Sequence, residues 1–307
     1  MYGPAHDLAH GSAYAVELAT LDSAVYFAPR GRARLMHLGG VIAQRYLHPD
    51  DLLIGFVGDA GAGKSLLIKG MFPGLVLTND DEGINVRPLP VLRDHEEGRF
   101  STSTYHVDIR FEMAFVQPWQ LGEAIRRAVS QGRRVVAEHW DLIQQFVGIS
   151  ANMLVGIGEE VIVTRPTVFG PEPGDIASRV FSSLKYRKMA HSAEDLTSIV
   201  LEAMGVQKPR IHGDVRHGFV VEFETKPDVD FRDVEEQVRQ YIRNDARISY
   251  CDEEHISVGD TVVECSGPRI HVGRAGEIEG FRLASELVRH PLTGLYLLAG
   301  LVGASES

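Results

Sequence analysis

One segment constrains this chain more than any other. GDAGAGKS, at 58–65, satisfies G-x-x-x-x-G-K-[ST] with Gly58, Gly63, Lys64 and Ser65. It stands between an apolar run at 52–57 and SLLIKGMF, so the sequence predicts a buried strand, a glycine-rich turn and then a helix. Glycines let successive backbone N–H groups turn inward around phosphate oxygens without a side-chain clash. The helix that follows directs its partial positive charge at the same oxygens. On this reading Gly58, Asp59, Ala60, Gly61, Ala62, Gly63, Lys64, Ser65 and Leu66 hold a nucleoside triphosphate. Lys64 would neutralise the β and γ phosphates, and the Ser65 hydroxyl would ligate Mg2+. The plainer alternative is a glycine-rich turn with an incidental lysine.

Strand and helix patterns alternate around this motif. LVLTNDD, at 75–81, reads as a second strand ending in acids. WQLGEAIRRAVSQG reads as an amphipathic helix stopping at Gly132, RRVVAEHWDLI as a strand whose end carries Glu138, and EEVIVTRP as another short strand. The stretch 93–103 is polar with few structural signals. Upstream, Leu35, Leu38, Val41, Ile42 and Tyr46 recur at helical spacing behind Arg30, Arg32 and Arg34, which read as a solvated helix start. Such alternation predicts an α/β domain, a parallel sheet with helices on both faces. After PEPGD, at 171–175, the character changes. A long helical stretch is followed by HGFVVEFET, ARISY and DTVVEC around the helix DFRDVEEQVRQYIRND, an α+β pattern. The expected domains are 1–180 and a smaller one at 181–307.

The composition fits two such cores: 307 residues, of which 44% are apolar and 24% charged. A net charge of −11 disfavours non-specific binding to nucleic acid or an anionic membrane. Two cysteines imply no disulfide framework, and no run approaches transmembrane length. The expectation is a soluble, cytoplasmic protein with no membrane partner.

A bound triphosphate needs acids for the metal and the acceptor. Asp80 and Asp81 follow the loop helix, and Glu138, ending its own strand, is placed to hold metal-bound water; helix capping is the alternative use of each. Arg179, Lys185, Arg187 and Lys188 in SRVFSSLKYRK are candidates to close over the phosphates, against the alternative of a solvated basic face. In order, the strand, GDAGAGKS, LVLTNDD, RRVVAEHWDLI and KYRKMAHSAEDL resemble the uridine kinase branch of the P-loop kinases across roughly 50–190. The resemblance implies an acceptor-activating aspartate at Asp80, with Asp81 beside it, and a basic lid carrying Arg179, Lys185 and Arg187.

The second half carries another resemblance. VVECSGPRIHVGRAGEIEGFRLASE is similar to the second additional domain of alanyl- and threonyl-tRNA synthetases, with Cys265, His271, Gly276, Glu277, Ile278 and Gly280 in that module's places. HSAEDLTSIVLEAMG resembles its histidine-bearing helix, and the likeness spans about 188–286. It implies a Zn2+ site at His191, Asp195, Cys265 and His271. This chain departs from the family in having Asp195 where a second histidine is usual, and five residues rather than three between Cys265 and His271. All three ligand types bind zinc, while a metal-free site with Cys265 as a small core residue is the alternative. Together the two halves lead to the expectation of an ATP- and Mg2+-dependent, kinase-like phosphotransferase whose second domain recognises a small-molecule acceptor. The alternatives are an aminoacyl-tRNA editing-like hydrolase or tRNA-binding module regulated by nucleotide, and a nucleotide-gated binding protein without turnover.

Overall fold

A computed structural model describes residues 21–78, 88–207 and 211–304. The chain forms two compact units. One draws its described residues from Met1–Tyr26, Met36–Asp59 and Lys64–Val180, the other from Phe27–Leu35, Ala60–Gly63 and Phe181–Ser307.

The first unit is built on a six-stranded sheet. Its strands are β1 (Ala24–Phe27), β2 (Leu53–Val57), β3 (Thr104–Asp108), β4 (Arg134–Glu138), β5 (Met153–Ile157) and β6 (Glu160–Thr164). They lie in the order β1-β6-β5-β2-β4-β3. β2 pairs in parallel with β4 and β5, and β4 in parallel with β3. β6 departs from the expected parallel sheet and runs antiparallel to β5. Only Gly158 and Glu159 separate those two strands, too short a connection for the crossover that a parallel pair requires. Every residue of β2 is buried, which explains its unbroken apolar run: a central strand covered on both faces has no polar side to show.

Helix α1 (Arg32–Tyr46) precedes β2, and α2 (Lys64–Met71) opens directly from the glycine loop. The two helices meet at glycines. A Cβ on Gly70 would fall 2.0 Å from the Met36 carbonyl oxygen, and one on Gly39 would fall 2.3 Å from that of Leu67. This close approach seats the helix that carries Lys64 and Ser65. The amphipathic pattern at 119–132 forms α5 (Pro118–Ser130), whose Leu121, Ile125 and Ala128 share a core with Leu53, Val57, Val135 and Leu154. Gly132, with φ +73°, follows it.

Three sequence expectations change here. The described part of LVLTNDD, 75–78, is turn and coil rather than strand, and Asp80 and Asp81 lie outside the described residues. The reason is visible at Thr78, whose backbone N–H is donated to the His106 ring at 3.0 Å and therefore cannot enter a ladder. The edge position belongs to β3, which the sequence reading passed over. The polar stretch at 93–103 also contains more order than expected, since α3 covers Pro90–Glu96 and runs into it, while α4 (Ile109–Glu112) follows β3 beyond it.

The helix expected after PEPGD is α7, 31 residues from Pro173 to Ala203. The second unit holds β7 (Ile211–Val215), β8 (Gly218–Phe223), α8 (Phe231–Arg243), β9 (Ile248–Tyr250), β10 (His255–Val258), β11 (Thr261–Glu264), β12 (Arg282–Leu283), β13 (Val288–Arg289) and β14 (Tyr296–Leu301). The pairings are antiparallel, in a three-stranded sheet β11-β10-β9 and a second sheet β12-β14-β8-β7, with β13 beside β14. Asp230 caps α8 by accepting from Arg232 N–H, and Val234 and Val238 bury its apolar stripe. Among the described residues no helix is long and apolar enough to cross a membrane.

Candidate functional site

In the first unit, chemistry gathers at the carboxyl ends of β2, β4 and β3. In an open α/β sheet that is where loops leave the strands and a ligand finds exposed N–H groups. Glu138 ends β4 in register with Phe56 on one side and Asp108 on the other. It is 5% exposed. Its Oε1 accepts from Ser65 Oγ at 2.9 Å and lies 3.2 Å from His106 Nε2, and its Oε2 is 3.6 Å from Lys64 Nζ. Burial opposes ionisation, but the His106 hydrogen bond and the Lys64 charge outweigh it and hold the carboxyl down to about 2. Lys64 is buried as well and donates to the Asp59 carbonyl at 2.9 Å. Gly61 and Gly63 take φ of +75° and +100°, the left-handed conformations that turn N–H groups inward at little steric cost.

Two further acids stand nearby. Asp108 caps α4 through Phe111 N–H, and burial together with the Glu138 charge raises its pKa. Asp141, three residues past Glu138, is raised by burial. Between them His139 is buried with φ +58°, and burial and then the Lys64 charge push it down to about 4, keeping the ring neutral at pH 7. Sequence reasoning missed Asp108 and His139. The signal for Asp108 was available, because YHVD is an alternating run that ends in an acid just before a short helix.

A Ser hydroxyl hydrogen-bonded to an ionised carboxylate, at the mouth of a glycine loop, presents hard oxygen donors of the kind that suit Mg2+. A cavity of about 670 Å3 opens elsewhere in this unit, lined by Met71, Phe72, Thr78, Thr104, His106 and Arg134 among others. Thr104 and Arg134 begin their strands, so the cavity lies toward the end of the sheet opposite the glycine loop.

The basic candidates on α7 separate. Arg179 and Lys185 are exposed and Lys188 half-buried, with Lys185 Nζ 4.9 Å from the Tyr186 ring centre. Arg187, expected on a lid, is only 1% exposed and donates to the carbonyls of Ala62 at 2.9 Å and Pro29 at 2.7 Å, inside the second unit. Burial and the neighbouring Arg30 bring its pKa down to about 9. It therefore fixes the backbone at the tip of the glycine loop instead of facing solvent.

The second unit brings His191, Asp195, Cys265 and His271 together, with one ligand atom from each lying within 4.8 Å of the others. Helical spacing puts His191 and Asp195 one turn apart on one face of α7. The turn after β11 supplies the other two and is tied to the helix by Val272 N–H donating to Ser192 Oγ at 3.0 Å. Cys265 Sγ is 3.3 Å from His191 Nε2 and 3.8 Å from His271 Nε2, and His271 Nε2 is 2.8 Å from Asp195 Oδ2. Zinc bonds of about 2.0–2.3 Å imply tetrahedral edges of about 3.3–3.8 Å, which the two sulfur–nitrogen distances meet, while the His271–Asp195 edge is shorter and would have to open. Each imidazole turns its other nitrogen to an acceptor: His191 Nδ1 to Glu194 Oε2 at 3.5 Å and His271 Nδ1 to the Pro268 carbonyl at 3.2 Å. Such outer contacts present Nε2 as a ligand. Gly267 N–H donates to Cys265 Sγ at 3.3 Å. Burial and the Asp195 charge raise the Cys265 thiol far above its usual range, so in the absence of a cation the sulfur keeps its proton.

No protein-family model and no curated relative matches the chain. Among solved structures, an ornithine aminotransferase from Toxoplasma gondii ME49 aligns at 12% identity with a TM-score of 0.21, covering 90% of this chain and 75% of that one. A score that low carries no argument about fold or activity.

Proposed function

We propose that this chain is a P-loop phosphotransferase of kinase type, binding ATP and Mg2+ through 58–66 and transferring the γ-phosphoryl group to a hydroxyl of a small molecule. The observation that carries this reading is the 2.9 Å hydrogen bond from Ser65 Oγ to Glu138 Oε1, with Lys64 Nζ 3.6 Å from the same carboxylate. A glycine-rich turn with an incidental lysine has no need of a buried, ionised acid on the neighbouring strand. Ser65 would ligate Mg2+ and Glu138 would hold a metal-bound water, and the metal would supply charge neutralisation to the β and γ phosphates. Lys64 exchanges the Asp59 carbonyl for phosphate oxygens.

Among the described residues, Asp108 is the group placed to take the acceptor proton; Asp80, expected in that role from the sequence, lies outside them. Asp108 ends the strand next to that of Glu138, and its raised pKa suits a base. The acceptor oxygen bonds to the γ phosphorus as the bridging bond to the β phosphate breaks. The hydroxyl proton passes to Asp108, and the nucleoside diphosphate, ADP, leaves. ATP and Mg2+ offered to a panel of nucleosides, amino acids and polyols, with ADP release as the readout, test this reading. Release that depends on one acceptor and is lost in Lys64→Ala supports it, whereas no nucleotide binding at all removes it.

A second reading concerns the second unit and rests on a separate observation, the closure of four donors around one point. This supports the likeness to the synthetase additional domain and a Zn2+ held by His191, Asp195, Cys265 and His271. The unit then either recognises the acceptor or hydrolyses an aminoacyl ester of tRNA under nucleotide control. Metal content of the purified protein and amino-acid release from Ser- or Gly-charged alanine tRNA separate the two.

A further inference from the structure

We propose that His106 is a positioning residue that sets the orientation of the Glu138 carboxylate toward the metal side of the phosphate site. This rests on the phosphotransferase reading of that site. One donor at this site has a direction that is not open to choice. The backbone N–H of Thr78 can only donate, and it points at His106 Nδ1 at 3.0 Å. Nδ1 is therefore an acceptor, and in the neutral ring the single proton sits on Nε2. Nε2 lies 3.2 Å from Glu138 Oε1 and donates to it. The Thr78 hydroxyl adds a second tie by donating to the His106 backbone carbonyl at 3.1 Å. Thr78, His106 and Glu138 are each no more than 5% exposed, so these contacts are made between largely buried groups.

Glu138 Oε1 thus carries two donors, Ser65 Oγ at 2.9 Å and His106 Nε2 at 3.2 Å. Two donors on one oxygen remove the freedom of the carboxylate to rotate. Oε2 is left facing Lys64 Nζ at 3.6 Å, and is the oxygen available to metal-bound water. Outer partners of this kind orient a metal-side ligand and typically change metal affinity by about 10- to 100-fold when removed. The ring touches neither nucleotide nor acceptor and acts through Glu138.

Two substitutions separate positioning from packing. The Asn amide in His106→Asn reaches the Nδ1 position and keeps a partner for Thr78 N–H, but falls short of Glu138. The longer amide of His106→Gln brings an N–H near the Nε2 position. Full-length protein and both variants are titrated with Mg2+ in the presence of a fluorescent ATP analogue, with nucleotide affinity in excess chelator and thermal melting measured alongside. The expected result is a rise of about 10-fold in the half-saturating Mg2+ concentration for His106→Asn. Its chelator affinity stays unchanged, and His106→Gln remains within about 3-fold of the native chain. Native Mg2+ dependence in a folded His106→Asn chain overturns the proposal. So do equal shifts in both variants accompanied by equal losses of melting temperature, because packing then explains them. Should His106→Asn fail to fold, a folded His106→Gln chain with a tenfold shift overturns it. If the native chain shows no Mg2+-dependent nucleotide binding, the phosphate-site reading itself falls, and this inference with it.

Discussion

Asp108 and Glu138 stand side by side in the register of two neighbouring parallel strands, yet their surroundings drive their acidities apart. Asp108 is raised by burial and by the Glu138 charge, while Glu138 is held near 2 by His106 and Lys64 against its own burial. Two acids with divergent protonation equilibria at one site can divide the work of base and permanent anion.

Lys64→Ala should weaken binding of a fluorescent ATP analogue by at least about 10-fold, since a charge-assisted contact in a water-poor site is worth about 1.5–3 kcal/mol. Circular dichroism should report an intact fold. Unchanged affinity would remove the phosphate cradle.

Asp108→Asn should lower turnover by about 100-fold or more while leaving ATP affinity alone, because a general base acts only on the reacting acceptor. The native pH profile supplies a second check. The base works when deprotonated, so activity should rise with pH through a limb lying above the ordinary Asp range, given the raised pKa. A limb at or below that range would mean that another group takes the proton.

Stability should depend on pH through Glu138. Its folded-state pKa is about 2, against an ordinary value of 4.5. A depressed carboxyl contributes stability that is present above the unfolded value and lost as pH falls toward the folded one. The full contribution is of order 3 kcal/mol. The difference in unfolding free energy between the native chain and Glu138→Gln should therefore shrink as pH falls from 5 to 2. A constant difference would deny Glu138 its ionised state.

Protein purified without chelator should contain one zinc per chain, measured by elemental analysis. Cys265→Ala and His271→Ala should each lower that content sharply, whereas Cys251→Ala, an exposed cysteine outside the cluster, should leave it unchanged. Equal zinc in all four proteins would place the metal elsewhere.

Gly70→Ala should lower the melting temperature, since its Cβ would sit 2.0 Å from the Met36 carbonyl oxygen and force α1 and α2 apart. Overpacking of this kind costs about 1–3 kcal/mol. ATP affinity should fall too, because α2 begins at Lys64. A melting temperature equal to that of the native chain would mean that the helices separate without cost.

Local features were legible along the chain. The glycine loop, the helix ending before Gly132, the strand carrying Glu138 and the pairing of His191 with Asp195 one turn apart are all periodic or contiguous patterns, set by 3.6- and 2-residue repeats. Asp108, the acid that ends β3, was not legible. LVLTNDD has the composition of a strand ending in acids, but an edge strand exists only if its N–H groups reach a neighbour, and that of Thr78 is taken by His106. β3 takes the place instead. Arg187 shows the same limit: sequence puts it among basic residues on a helix, and only packing decides that it is buried against the Ala62 and Pro29 carbonyls. Sequence alone determined which groups could bind phosphate or metal, because that capacity belongs to side-chain chemistry and short spacing. Tertiary structure decided which of them meet and with what charge. Strand neighbours such as Asp108 and Glu138 lie 30 positions apart in the chain, and burial, which shifts their acidities, is a property of the folded whole.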